Sequence, residues 1–562
     1  MKKTTRLFFL ISMSFFAVEA LAQFPITWTA QFQHTSSFGY SNEGRRVAED
    51  ASGNIFILSD VTSNIDPNGV LGTINYHYVN LTKYSSTGSI LAKTNVEIKD
   101  HVTVGFNNYS AFGLEVDASG MVYIGFAMWN NTANFDVVLA KYNNALNAVP
   151  LWINNYSTPG SDLGVDMKVS PSGTLYAVIK STNITTAYTL IKGNAAGTAP
   201  TTVYTFTANS TVINSLAIDG FSRAYVAGYL TQSFSKNVYV AEINTSNNTL
   251  VWGTTYSGKG VIGDDVANKI TIGVDGKIYT VGSTFISGAQ GTQTLVLRNT
   301  QGNPHFDFVK TLKGGGLINA SGVQISATES GWLYIGAITT TQATVFRIPS
   351  NGVFTVPTYV TYNPTPTASF TAVTGVTLSA LKVSSVKNIY ITGSVSVTSA
   401  SGPYTCSYFN KASVVFGNAL NKSGGMPIDG SYSHNYEGVD ISLDYGKADV
   451  YWLRNYWDAS HNTEKVELID LNVPSPLRET NSELNTVATI SLYPNPAKNE
   501  VMVQSDDIIN AVEIMDLTGN RVLFMEIKSE QALLDISTLS NGIYLCRIQT
   551  EQGSTIKRLA VN

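Results

Sequence analysis

The chain has 562 residues, enough for more than one domain, and only 13% of them are charged against roughly 25% in an average soluble protein. A formal net charge of −5, with no Lys/Arg cluster beyond the first residues, excludes nucleic acid as an electrostatically recruited partner. Its 46 Gly, 29 Tyr and abundant Ser, Thr and Asn suit extracellular β structure instead.

Lys2, Lys3 and Arg6 precede an apolar run over 7–18, and Ala20-Leu21-Ala22 fits the small-x-small rule of signal peptidase. A run of that length is too short for roughly 30 Å of hydrocarbon. The expectation is a signal peptide over 1–22, read by the Sec translocon and cleaved after Ala22; an uncleaved anchor is the alternative. Gln23 rather than Cys follows the site, so no lipoprotein anchor is expected.

A β-hairpin then recurs along the chain. It is plainest at 266–282, where Ile270, Ile272 and Val274 alternate with Thr271 and Gly273, and Ile278-Tyr279-Thr280-Val281 returns. Asp275-Gly276 reads as a primed two-residue turn between them. Anchored on the aromatic of the second strand, the copies fall at Phe56, Tyr123, Tyr176, Tyr225, Tyr279, Tyr334, Tyr390 and Tyr451. A third strand follows each (Leu81–Tyr84 and Leu139–Tyr142 are examples), and a fourth is marked by Trp152…Tyr156 and Trp252…Tyr256. Four strands per unit predict an all-β fold, a β-propeller over 23–474 with eight blades, or seven and one divergent unit. The spare strand Ile26–Phe32 is expected to complete the last blade, which otherwise leaves an unpaired edge.

Asp50-Ala-Ser-Gly53-Asn54-Ile-Phe56 and Asp275-Gly276-Lys-Ile-Tyr279 resemble secreted β-propeller repeats with a D-x-x-G-N-x-Y core. Such a likeness implies a fold and leaves the activity open.

The passenger carries few signs of chemistry. Its histidines lack the i, i+4 spacing of a zinc motif, and G-x-S-x-G and P-loop patterns are absent. Cys406 and Cys546 fall in different expected domains and read as small buried hydrophobes. The turn residues Asp50, Asp117, Asp219 and Asp275 raise calcium as a cofactor, although turns use Asp for local hydrogen bonds anyway. Counting 13 to 15 residues back from the anchors reaches Glu43, Asp162, Asp264, Asp265 and Glu437, an acidic rim expected to bind a cation or positively charged ligand. Local capping of each loop is the competing account. Two functions stay open: a non-enzymatic propeller binding extracellular glycan or protein, and a polysaccharide hydrolase or lyase with funnel carboxylates.

A polar, aromatic-free stretch with Pro474 and Pro476 follows the repeats, and 475–488 reads as a linker. From Thr489 short strands suggest a small Ig-like β-sandwich: Ile490–Tyr493, Glu500–Gln504, Ala511–Asp516, Arg521–Ile527, Ala532–Ile536, Gly542–Gln549 and Thr555–Val561. Within it Tyr493-Pro494-Asn495-Pro496, Asp516-Leu-Thr-Gly519, Leu539-Ser-Asn-Gly542-Ile-Tyr544 and Lys557-Arg-Leu559 occur in order. Together they resemble the type A C-terminal sorting domain of type IX secretion substrates. The resemblance implies Sec export to the periplasm of a Gram-negative bacterium, then passage through the type IX machinery to the cell surface or medium. It also implies a sortase-like peptidase as a partner, which removes this domain.

Overall fold

In this computed structural model the described residues are 26–32, 41–65, 71–101, 109–129, 134–182, 186–197, 199–206, 210–221, 223–232, 234–258, 263–286, 291–313, 319–328, 331–354, 356–363, 372–384, 387–399, 402–414, 420–429, 436–443, 449–458, 463–472, 491–516, 521–550 and 553–562. Ala22, the linker 475–488 and Gly519 lie outside them. Two compact units emerge, Met1–Pro474 and Ser475–Asn562. All described regular structure is β-strand.

In the first unit each anchor sits on the second strand of an antiparallel set, and the repeats around Tyr123, Tyr176, Tyr225, Tyr279 and Tyr334 each form a separate four-stranded sheet. The Tyr390 sheet has five strands because its inner strand is interrupted into Ala372–Val376 and Ala380–Val383. The Phe56 and Tyr451 sets join through one parallel bridge, Ser41 to Glu464. The strand Ile26–Phe32 pairs antiparallel with Thr463–Asn472, matching Ile26 to Leu471 and Phe32 to Val466. The strand that precedes the first hairpin and the last described strand of the passenger therefore share a sheet, as the spare strand led one to expect.

The apolar clusters explain the order of the sheets. One cluster packs Phe56 and Leu58 on Leu114 and Ile124, and the next packs Tyr123 and Leu139 on Met167 and Ala177. The pattern advances repeat by repeat until Tyr451 and Leu453 pack on Val47 and Ile57, which returns it to the first. A central strand such as Val122–Trp129 buries both faces, against the preceding and the following sheet, and so reads as a nearly continuous apolar run. Each such side chain contributes about 1.5–3 kcal/mol on full burial.

The hairpin turn differs from the primed type. Gly276 N–H donates to Gly273 O and Gly273 N–H to Lys277 O, while only Gly276 takes a positive φ, of 71°. This is a three-residue loop that ends in a left-handed residue. The same bonds close the turns at Asp50–Asn54 and Asp117–Met121, and Lys387 (φ 62°) holds the left-handed place where glycine is missing. Turn aspartates bond locally: Asp117 Oδ1 accepts the Ser119 and Met121 N–H groups, and Asp219 Oδ1 those of Phe221 and Arg223. Their second oxygens accept the anchor phenols, at 2.8 Å for Tyr123, 3.2 Å for Tyr225 and 2.7 Å for Tyr279 on Asp275.

Neighbouring repeats are also bonded to one another. Lys83 Nζ donates to Asn144 O at 3.1 Å, Arg298 Nη1 donates to Ser350 O at 2.9 Å, and Gly302 N–H donates to buried Glu242 at 2.7 Å. Glu242 also accepts Arg223 and the Trp252 indole N–H, each at 2.7 Å.

In the second unit two pairs of expected strands are continuous, as Glu500–Met515 and Arg521–Asp535. Breaks in register near Gln504, Ile509 and Ala511 let one strand serve Ser491–Tyr493 with its first half and Gly542–Thr550 with its second. Gly553–Val561 pairs with Gly542–Thr550, and the core comprises Val501, Val512, Ile514, Leu534, Cys546, Ile548 and Leu559.

Candidate functional site

The inner strand of every repeat carries the same irregularity. Its pairing skips one residue between Gly44 and Arg46, Ala111 and Gly113, Gly164 and Asp166, Ile213 and Ser215, and Ala267 and Lys269. The skip recurs between Gly322 and Gln324, Val373 and Gly375, and Gly438 and Asp440. Such a bulge bends the strand and re-aims the side chains that follow.

Beyond the bulge the residues alternate. Val47, Leu114, Met167, Leu216, Ile270, Ile325, Leu381 and Ile441 enter the clusters between sheets. On the opposite face, Arg46, Asp166, Lys269, Gln324 and Asp440 form one level, and Glu115, Lys168, Thr271, Lys382 and Ser442 the next, opposite the anchors. Both levels line a cavity of ≈ 800 Å³ enclosed by the inner strands.

Charges in this cavity are largely committed. Asp166 Oδ2 accepts Lys269 Nζ at 3.2 Å, Ser215 Oγ at 2.9 Å and the Leu216 N–H at 3.0 Å, which ties three repeats together. Ser215 Oγ in turn accepts the Ile270 N–H at 3.3 Å. Burial opposes the charge on Asp166, but the Lys269 and Lys168 ammonium groups and these donors outweigh it and hold its pKa at about 2. Lys168 pairs with Glu115; burial opposes its charge, and the carboxylates of Glu115 and Asp166 nevertheless raise its pKa. Asp440 accepts the Val47 N–H at 3.3 Å and the Ile441 N–H at 2.9 Å.

The five rim residues separate. Glu43 and Glu437 line the cavity, Glu43 bonded to Arg45 at 2.7 Å. Asp162 is buried and accepts the Thr158 N–H at 2.7 Å and its hydroxyl at 3.0 Å. Asp265, also buried, accepts the N–H groups of Gly258 at 2.7 Å and Phe285 at 3.2 Å. Asp264 is exposed and paired with Lys236 at 2.7 Å. Asp162 and Asp265 thus hold loops, and Asp264 sits outside the cavity lining. The stretch counted from the anchors ends one level short of Arg46, Asp166 and Lys269. The signal that marks Asp166 and Lys269 is a polar–apolar–polar triplet before the turn, as in Asp166-Met167-Lys168 and Lys269-Ile270-Thr271, a pattern that Ala48 breaks after Arg46.

None of the described residues lining the cavity is a histidine. Among the described residues no group of three or more His, Cys, Asp or Glu is placed to hold a metal ion.

In the second unit the sorting-type residues converge on the last strand. Asn495 Nδ2 donates to Arg558 O at 2.7 Å, and Asn495 Oδ1 accepts the Ala560 N–H at 2.9 Å. Ala497 and Val561 form a parallel bridge. Pro494 and Pro496 are exposed on either side of Asn495, and Tyr493 donates to Gln504 at 2.9 Å. Leu539 packs on the core, Tyr544 donates to Ser540 O at 2.8 Å, and Gly542 opens its strand. Lys557 is exposed on the terminal strand opposite Cys546, and Asp516 is half-buried at a strand end.

Comparison with known proteins adds one decisive match. Residues 491–562 match the family described as "Secretion system C-terminal sorting domain". No curated protein matches the chain. Among solved structures, a periplasmic gluconolactonase of Pseudomonas aeruginosa is 11% identical, over 71% of this chain and 95% of that one, with a TM-score of 0.36. A putative 6-phosphogluconolactonase of Bacteroides fragilis is also 11% identical (71% and 94% covered, TM-score 0.34). Chaetomium thermophilum Sqt1, solved with the N-terminus of a ribosomal protein, is 8% identical (77% and 98% covered, TM-score 0.42). At these scores no argument about activity passes from them to this chain. Residues 491–562 belong to the type IX secretion C-terminal sorting domains, and they follow an all-β passenger of repeated sheets in a secreted protein.

Proposed function

We propose that the chain is a non-enzymatic binding protein, displayed on the outer-membrane surface or released, whose passenger takes an extracellular glycan or protein at the cavity between its inner strands. In this reading 23–474 form an eight-bladed propeller closed by Ile26–Phe32, and 489–562 form an Ig-like sandwich. The leader 1–22 serves the Sec translocon, and a sortase-like peptidase removes the sorting domain.

One observation carries the preference for binding over hydrolysis. Among the cavity carboxylates, Glu43, Glu115 and Asp166 each hold a cation and Asp440 holds two backbone N–H groups, while Glu437 is exposed and forms no ion pair among the described residues. Glycoside hydrolysis needs a carboxyl group able to give up a proton near neutral pH, facing a second carboxylate. A carboxylate locked to a lysine with a pKa of about 2, as Asp166 is, cannot serve as that acid. The test is a glycan array probed with the full chain and read for both retention and cleavage. Retention without cleavage is the expected result; shortened glycans would overturn it.

A further inference from the structure

Three charged side chains of the cavity form no ion pair among the described residues, and they lie on three neighbouring repeats. Arg46 donates Nη1 to the carbonyl of Arg45 at 2.7 Å and forms no ion pair among the described residues. The side chains of Lys382 and Glu437 are exposed and form no ion pair or hydrogen bond among the described residues. The repeats that carry them are adjacent, since Ala380 shares an apolar cluster with Ile441, and Tyr451 shares the next with Val47.

The three stand at successive depths. Glu437 pairs with Asn455, four residues past its anchor, Arg46 with Leu58, two past its own, and Lys382 with the anchor Tyr390 itself. At roughly 3.3 Å per residue this spans about 13 Å of the cavity wall. Ser379 and Ser442 line the same sector.

A ligand for this sector must supply anionic groups to Arg46 and Lys382 and a hydrogen-bond donor to Glu437. A guanidinium matches a carboxylate with two parallel hydrogen bonds, so Arg46 favours a planar carboxylate. A simple anion offers Glu437 only repulsion, and a neutral sugar leaves both cations unmatched. The Arg46 charge acts on the Asp60 carboxylate as well as on Lys168, with an ion pair to neither among the described residues.

We propose that this sector binds an acidic oligosaccharide, with its carboxylates on Arg46 and Lys382 and a hydroxyl donating to Glu437. The inference rests on the binding role proposed above and narrows its ligand to sugar acids. The hydroxyls of Ser379 and Ser442 suit the hydroxyl groups of a saccharide, which an acidic peptide such as oligoglutamate lacks.

The experiment is calorimetric titration of the full chain with oligogalacturonate, with a cello-oligosaccharide of equal length and with oligoglutamate. Oligogalacturonate alone is expected to bind, at least tenfold more weakly to Arg46→Gln and to Lys382→Gln, and more weakly as salt rises. Lys382 is exposed, so its variant keeps the test independent of any folding defect at Arg46. Equal binding of the neutral sugar, or unchanged affinity in both variants, overturns the acidic selectivity and leaves a binding role intact. Tighter binding of oligoglutamate overturns the saccharide. If no saccharide binds, here or on the array, the inference and the glycan-binding role fall together.

Discussion

Asn495 Oδ1 accepts the N–H of Ala560 at 2.9 Å, across 65 residues of chain. With the partner bond from its Nδ2 to Arg558 O, one side-chain amide holds both a donor and an acceptor of the terminal strand. Asn495→Ala removes both bonds, at about 1 kcal/mol each. Fraying of Gly553–Val561 is expected, seen as faster amide exchange there, together with less protein at the cell surface. Asn495→Asp keeps the acceptor alone and should fall between the two. Wild-type exchange in the Ala variant would show that the bridge with Val561 suffices.

Deletion of the sorting domain has a cellular outcome. A chain that ends at Ala488 should be exported by Sec and then accumulate in the periplasm. Surface labelling of intact cells measures this, and undiminished labelling would contradict it.

The Asp166–Lys269 contact predicts an acid limit. The folded pKa of Asp166 lies near 2, below its ordinary 3.8, so the charged form is favoured by folding. Its contribution, about 2 kcal/mol, is complete above pH 3.8 and is lost as pH falls toward 2. Asp166→Asn should lower the melting temperature at pH 7 and flatten the stability profile between pH 4 and 2. An unchanged profile in that window would assign the acid sensitivity to other groups.

Lys411 predicts the opposite slope. It is 3% exposed, and burial lowers its pKa from 10.5 to about 8. Its folded form gives up the proton more readily than the unfolded chain, so stability should rise as pH climbs from 8 toward 10.5. Lys411→Met should remove that rise, measured by urea denaturation at pH 8 and at pH 10. A rise that persists in the variant would assign it to other groups.

Loss of the strand Ile26–Phe32 exposes the edge of Thr463–Asn472. Deleting 26–32 should lower the melting temperature of the passenger by several degrees and promote oligomers, measured by calorimetry and light scattering. An unchanged melting temperature would remove this strand from any role in closure.

Local signals carried much of the architecture. A hairpin leaves its mark within about 15 residues, through period-2 alternation, a left-handed glycine and an aromatic anchor, so the repeats and the pairing of Ile26–Phe32 were legible from sequence. The sorting domain was legible for a related reason, because Tyr493 to Pro496, Leu539 to Tyr544 and Lys557 form ordered short patterns. What Asn495 does there was not, since its partners lie 63 and 65 residues away.

The cavity belongs to the tertiary structure. Each inner strand contains one bulged residue, which shifts the side-chain count by one and changes which face a residue takes. A count made from the anchors therefore stopped at Asp162 and Asp265, which hold their own loops, and missed Arg46, Asp166 and Lys269. Asp166 meets Ser215 and Lys269 only because three sheets, 49 and 103 residues apart along the chain, converge on one cavity. Sequence by itself determined which residues form strands and turns and where the chain is sent, because those depend on neighbours in the chain and on short ordered motifs. Which charges face each other, and which remain free to meet a ligand, was decided by packing the sheets side by side, since charge pairing depends on distance in space.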